Sequence, residues 1–193
     1  MELTITIKKK IYVLPPMTMG LWRNMQKIKT EQAQERSELL RLVDKFSDID
    51  DDIVIALLSK RIEIIMAEHK EKDQGKIAKF IAEAFDNKFT EKDVLDEFGT
   101  DTIPVIFSGM DYAVMEKITD KGSEMPDCKG KSTTNFAAMN EYQQVLHLYS
   151  LIHRELHWSK KQIDGEELDY VFDLFIAEAK GNEEPKGAFE SVF

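Results

Sequence analysis

The chain has 193 residues, 42% of them hydrophobic and 32% charged, with a net charge of −10. That balance suits a globular protein and excludes a disordered tail, and no run of about 18 apolar residues is present to span a membrane. Residues 1–120 carry 18 Lys/Arg against 23 Asp/Glu and residues 121–193 carry 8 against 13, so each part is −5. Neither is a basic module drawn to phosphate backbones, and nucleic acid is not an expected partner.

Read in chain order, "LTITIKKKIYVLPP" has the alternation of a β-hairpin. Leu3, Ile5 and Ile7 alternate with Thr4 and Thr6, the lysines make a polar turn, and Ile11–Leu14 return before Pro15-Pro16 stop the ladder. The acidic, alternating opening is not expected to act as a signal peptide. Helical periodicity then takes over. Thr18 is placed to cap a helix with Leu21, Trp22, Met25 and Ile28, and after a polar stretch Leu39, Leu42, Val43 and Phe46 resume the pattern. Val54, Leu57, Leu58, Ile62, Ile65 and Met66 predict a further helix, and Ile77, Phe80, Ile81, Ala84 and Phe85 the next. Thr90 and Asp93 form a capping box for a helix stopped by Gly99, and an apolar helix kinked at its start by Pro104 follows.

The expected class is mainly α with a small N-terminal β-hairpin. An N-terminal module spans 1–118. Residues 119–138, rich in Gly, Pro, Ser and Thr, read as a flexible linker. A C-terminal two-helix hairpin occupies 139–180, its helices at roughly 139–157 and 165–180, and a polar tail covers 181–193. For the last helix Asp164 and Glu167 are expected as a capping box, with Leu168, Val171, Phe172, Phe175, Ile176 and Ala179 as its core stripe. Tyr170, Leu174 and Ala177 make a second, narrower strip on roughly the opposite side. It either packs back on the N-terminal module or on Trp158, or it docks another protein.

The residues that suggest catalysis or metal binding have plainer accounts. Asp48, Asp50 and Asp52 have the spacing of a calcium loop, but Ile53 stands where glycine is needed and Ser59 where the closing glutamate belongs. Carboxylates favoured at the next helix N-terminus account for them better. His153 and His157 are four apart, yet Arg154 occupies the place that a zinc protease gives to glutamate, and Glu155 comes one residue late. His147 falls about 120° round the helix from His153, so the three do not converge. Tight stoichiometric zinc would be the mark of a hydrolase built on this pair. Cys128, the single cysteine, makes no internal disulfide, has no activating histidine near it in sequence and fits a reducing cytoplasm. No catalytic residue, cofactor or metal is expected, and the chain is not read as an enzyme.

Two stretches carry a family resemblance. "YQQVLHLYSLIHRELHWSKKQIDGEELDYVFDLF", with its helix, Trp-Ser-x-x-x-Ile-Asp turn and Asp-Tyr-x-Phe helix, resembles the C-terminal segment of tail assembly chaperones of long-tailed phages of Gram-positive bacteria. "ITIKKKIYVLPPMTMGLWRNM" is similar to the hairpin, Leu-Pro-Pro-x-Thr and helix that open the same proteins; the middle agrees only in helix content. The resemblance implies the long product of a translational frameshift whose junction falls at 119–138, acting in the host-cell cytoplasm. It implies a tape measure protein, the major tail tube protein and the short form of the same chaperone as partners. It also implies self-association, and absence from the finished virion. With it goes the expectation that the N-terminal module binds the tape measure helix face to helix face. Trp158, Tyr170 and Leu174 would then recruit tube subunits, an assignment that rests on the helical wheel. The alternative is a generic helical adaptor or regulator with a non-tail partner.

Overall fold

A computed structural model describes residues 3–46, 52–122 and 139–181. Strands β1 (Thr4–Ile7) and β2 (Lys10–Val13) form an antiparallel hairpin. Helices α1 (Met19–Phe46), α2 (Asp52–Ala84), α3 (Glu91–Glu97) and α4 (Thr102–Gly122) follow, then α5 (Glu141–Leu156), α6 (Lys160–Gly165) and α7 (Leu168–Gly181). The fold is therefore mainly α with a small hairpin, as its periodicities indicate.

The hairpin turns on Lys8 and Lys9, both in the left-handed region at φ 50° and 63°. Two-residue turns of this kind favour Asn-Gly, so two lysines there carry a conformational cost. Lys8 is clamped in return: its backbone N–H donates to Glu97 and its ammonium lies 2.6 Å from Asp93. That hydrogen bond holds the Asp93 carboxyl down at about 2. Asp93 also completes the capping box with Thr90 that starts α3.

The polar stretch after Ile28 does not interrupt α1. One expected helix break is absent: the helices expected around Val54–Met66 and Ile77–Phe85 are one 33-residue helix, α2. It is about 50 Å long. A lone glycine, Gly75, costs only about 1 kcal/mol in a helix interior, and packing of the following turns on the core outweighs that. Pro104 sits in the first turn of α4, where its missing N–H has no helical acceptor to lose.

One core joins the hairpin, the start of α1, the end of α2 and the later helices. Ile5 and Ile7 of the hairpin, Met19, Trp22 and Met25 of α1, and Phe80, Ile81 and Phe85 of α2 are buried together. Phe107, Met110 and Val114 of α4 and Val145, Tyr149 and Ile152 of α5 belong to the same cluster. So do Ile163, Leu168, Val171 and Phe172, and the rings of Trp22 and Phe172 meet edge to face at 6.4 Å. The C-terminal helices thus pack on α1. Residues 119–122, expected in the linker, continue α4. The rest of that linker with Cys128, the acidic residues Asp48 and Asp50, and the tail from residue 182 lie outside the described residues.

Candidate functional site

The turn "WSKKQIDGEELDY" is built quite differently from the expected capping box. Ser159 caps α6 in a reciprocal box with Gln162, and Ile163 is buried. Asp164 caps nothing: its carboxylate accepts from Arg23 at 2.6 Å, Tyr149 at 2.8 Å and Lys160 at 2.6 Å. Burial works to raise the Asp164 carboxyl, but the Lys160 and Tyr149 bonds and the Arg23 charge win and lower it. The Tyr149 hydroxyl is raised by burial and by that carboxylate. The guanidinium of Arg23 also lies over the Tyr149 ring, 5.3 Å from its centroid.

Just beyond, α7 starts from a bridge to the N-terminal segment. Met19 N–H donates to Glu166 O and Leu168 N–H to Met17 O, both at 2.9 Å, with Thr18 and Glu167 paired antiparallel. The Thr18 hydroxyl accepts from Leu21 N–H and caps α1 as expected. Gly20 is required by this contact: a Cβ there would stand 2.8 Å from the Asp164 carbonyl oxygen. The two stretches that carry the family resemblance are therefore bonded to one another.

Of the three residues expected to bind a partner, two are brought together. The Trp158 and Tyr170 rings stack with centroids 6.5 Å apart and planes at 20°. Trp158 is half-buried against the core, Tyr170 is 48% exposed, and Leu174 is half-buried. The second strip of α7 thus packs in part on Trp158 while one side of Tyr170 stays open. His153 ties the turn together: its Nδ1 bonds to Trp158 O at 2.8 Å and closes the bend in which His157 adopts φ 57°. Among the described residues no group of three metal-binding side chains gathers.

Sequence reasoning missed an apolar surface shared by α1 and α2. The second half of α1 and the first half of α2 contain no buried residue among those described between Lys27 and Asp73. They form a helical arm beyond the core. Half-buried Ile28, Gln32, Glu35 and Leu39 on α1 and Leu58, Ile62, Ile65 and His69 on α2 recur every three or four residues as a narrow seam. Glu35 bonds to His69 across it at 3.0 Å, and Lys76 reaches Glu31 at 2.9 Å. These bonds lower both glutamates.

Outside the seam the arm is still apolar. Ile53 is 74% exposed, Leu57 65% and Leu40 64%, and Leu42, Val43, Val54, Ile55, Ile64 and Met66 are exposed as well. On α2, Ile53, Leu57 and Ile64 share a stripe about 130° round from the seam, with Ile55 and Met66 on yet another side. A helix apolar on all sides is ordinarily buried. The periodicity that predicts these helices is correct, but its apolar positions are not core. The signal available in the sequence is the excess of apolar residues in "DIVIALLSKRIEIIM" over what one face can hold.

At the base of the arm lies a cleft of about 680 Å³ among α1, α2 and α4, running from Leu39 and Met66 to Phe107 and Asp111. Asp73 lines it, one carboxylate oxygen buried with no hydrogen-bond partner among the described residues. Burial raises its carboxyl, and the nearby Glu35 adds to the rise.

Fold and surface together define a mainly helical protein with a hairpin-braced core and a projecting apolar arm. Comparison with protein-family models, curated proteins and solved structures finds no match.

Proposed function

We propose that this protein is a tail assembly chaperone that shields the tape measure protein of a long-tailed phage and recruits tail-tube subunits to it. The observation that carries the reading is the two-helix arm, whose apolar residues exceed what its own seam buries. A long apolar helix laid along the arm would cover Leu40, Ile53, Leu57 and Ile64, in helix-to-helix recognition. Tail-tube recruitment falls to the open face of Tyr170 with Trp158 and Leu174. The protein acts in the host cytoplasm, alongside its short form, and leaves before the virion is complete. Mutual bonding of Met17–Gly20 with Asp164–Leu168 makes the two resembling stretches one structural unit, which supports a common origin for the pattern.

The arm alone also suits an adaptor for a different apolar helix, and one experiment separates the two. Tape measure fragments encoded beside this gene are co-expressed with wild type and with Leu40→Gln/Leu57→Gln. Wild type should keep them soluble and the variant should not. Equal solubility with both removes the arm from the function, and failure of wild type to retain any fragment leaves the adaptor reading. Tube-protein capture unchanged by Tyr170→Ala and Leu174→Ala would remove those residues from recruitment.

A further inference from the structure

We propose that the outer edge of β2 is a strand-addition site for an extended, acidic segment of a partner protein. The ladder register decides which groups are free. Leu14 N–H donates to Leu3 O at 2.9 Å, so Leu3 and Leu14 form a hydrogen-bonded pair. Such pairs alternate in an antiparallel ladder, so Ile5↔Tyr12 and Ile7↔Lys10 are bonded, whereas Thr4↔Val13 and Thr6↔Ile11 are not. The N–H and C=O of Ile11 and Val13 therefore point away from β1. No backbone bond satisfies them among the described residues. Their side chains are 74% and 48% exposed. The opposite edge differs, because β1 lies beside α3 and the turn is tied to Glu97 and Asp93.

An unpaired edge with β-branched apolar side chains is a template for another strand, and proteins usually guard it with charge. Here the charge is selective. Lys8 is committed to Asp93, whereas Lys9 and Lys10 are exposed and meet no carboxylate among the described residues. Lys9 keeps its place in spite of a left-handed backbone that lysine disfavours. Two exposed cations beside the edge repel the same edge of a second copy and attract an acidic strand, which is exclusion and selection by one device. In a chain of net charge −10 such a basic edge is complementary to an acidic occupant.

The apolar part of the occupant also has a place. Past Val13 a groove of about 450 Å³ opens, floored by Leu14, Pro15, Pro16, Met17 and Val114. Pro15 and Pro16 offer no N–H, so pairing ends at the groove and the occupant continues into it through side chains. Lys88 lines the groove near Asp86, and Asp169 closes one side, so the acidic residues of the occupant belong at the Lys9–Lys10 end.

The probe is a fluorescein-labelled synthetic peptide alternating valine with glutamate, with a valine–lysine peptide as control, titrated by fluorescence anisotropy at low salt. Wild type should bind the acidic peptide and should bind the basic one at least about tenfold more weakly. Hydrogen exchange at the Ile11 and Val13 amides should slow on binding. Val13→Pro removes an outward-pointing N–H without breaking a ladder bond and should weaken the acidic peptide about tenfold. Lys9→Glu/Lys10→Glu, a purely exposed change, should abolish the preference for it. The proposal is overturned if wild type does not bind the acidic peptide. It is equally overturned if Lys9→Glu/Lys10→Glu leaves that binding unchanged, or if the edge pairs with a second copy in a dimer that Val13→Pro dissociates.

Discussion

Arg23 and Asp164 lie 141 residues apart in the chain, yet their side chains meet at 2.6 Å, in a pair only 15% and 25% exposed. Tyr149 shares that carboxylate, so α1, α5 and α6 converge on one charge. Asp164→Ala would leave a largely buried guanidinium and a phenol without their acceptor. The expected loss is about 2–3 kcal/mol. Urea unfolding would measure it. A double-mutant cycle with Arg23→Ala should give a coupling of at least about 1 kcal/mol, the mark of direct contact.

Gly20→Ala adds a single methyl group where α1 closely approaches the backbone of α6. With the Asp164 carbonyl oxygen only 2.8 Å from the new Cβ, the α6–α7 connection must move. A loss of about 1–3 kcal/mol is expected despite alanine's better helix propensity. A thermal midpoint at or above wild type would contradict the tight approach.

Asp73 and Asp164 should respond to pH in opposite senses. The Asp164 carboxyl is held below its ordinary value of 3.8, so its contribution is present above that pH and is lost as pH falls through the lowered value. The Asp73 carboxyl is raised above 3.8 by burial, so the folded state favours its neutral form and loses stability as pH rises through the raised value. Asp73→Asn should therefore raise the thermal midpoint at pH 7 by about 1–2 °C, a gain of roughly 0.5 kcal/mol in a chain of this size. The gain should vanish in scans at pH 3.

Leu40→Gln and Leu57→Gln test whether the arm residues are surface or core. Removing exposed leucines should change stability by no more than about 0.5 kcal/mol, whereas true core leucines would cost about 2–5 kcal/mol. Dye binding that reports exposed apolar surface should fall in the double variant.

Trp158 offers an optical readout of the C-terminal patch. Tyr170→Ala removes the ring stacked on it, so its fluorescence should shift to longer wavelength while the far-ultraviolet dichroism stays constant. An unchanged spectrum would place the two rings apart.

Much of the fold is legible in the sequence because it depends on near neighbours in the chain. The hairpin follows from alternation, α3 from the Thr90–Asp93 box, and the cap of α1 from Thr18. The candidate sites are legible only in part. The pairing of Trp158 with Tyr170 is one of two outcomes open to the second strip of α7, and a helical wheel has no means of choosing between them. The Asp164–Glu167 box fails because a local cap competes with a distant cation, and Arg23 wins.

What the sequence determined by itself is the set of local periods: where the chain alternates, where it winds, and which positions along each helix are apolar. Only the tertiary structure decided which apolar positions have something to pack against. Phe80 and Leu57 lie on one continuous helix and read alike in sequence. Phe80 meets Phe107 edge to face at 5.4 Å and is buried, while Leu57 projects on the arm and is exposed. Hydrophobicity is a property of the side chain, but burial is a property of what stands opposite it, and that is set by residues far away in the chain.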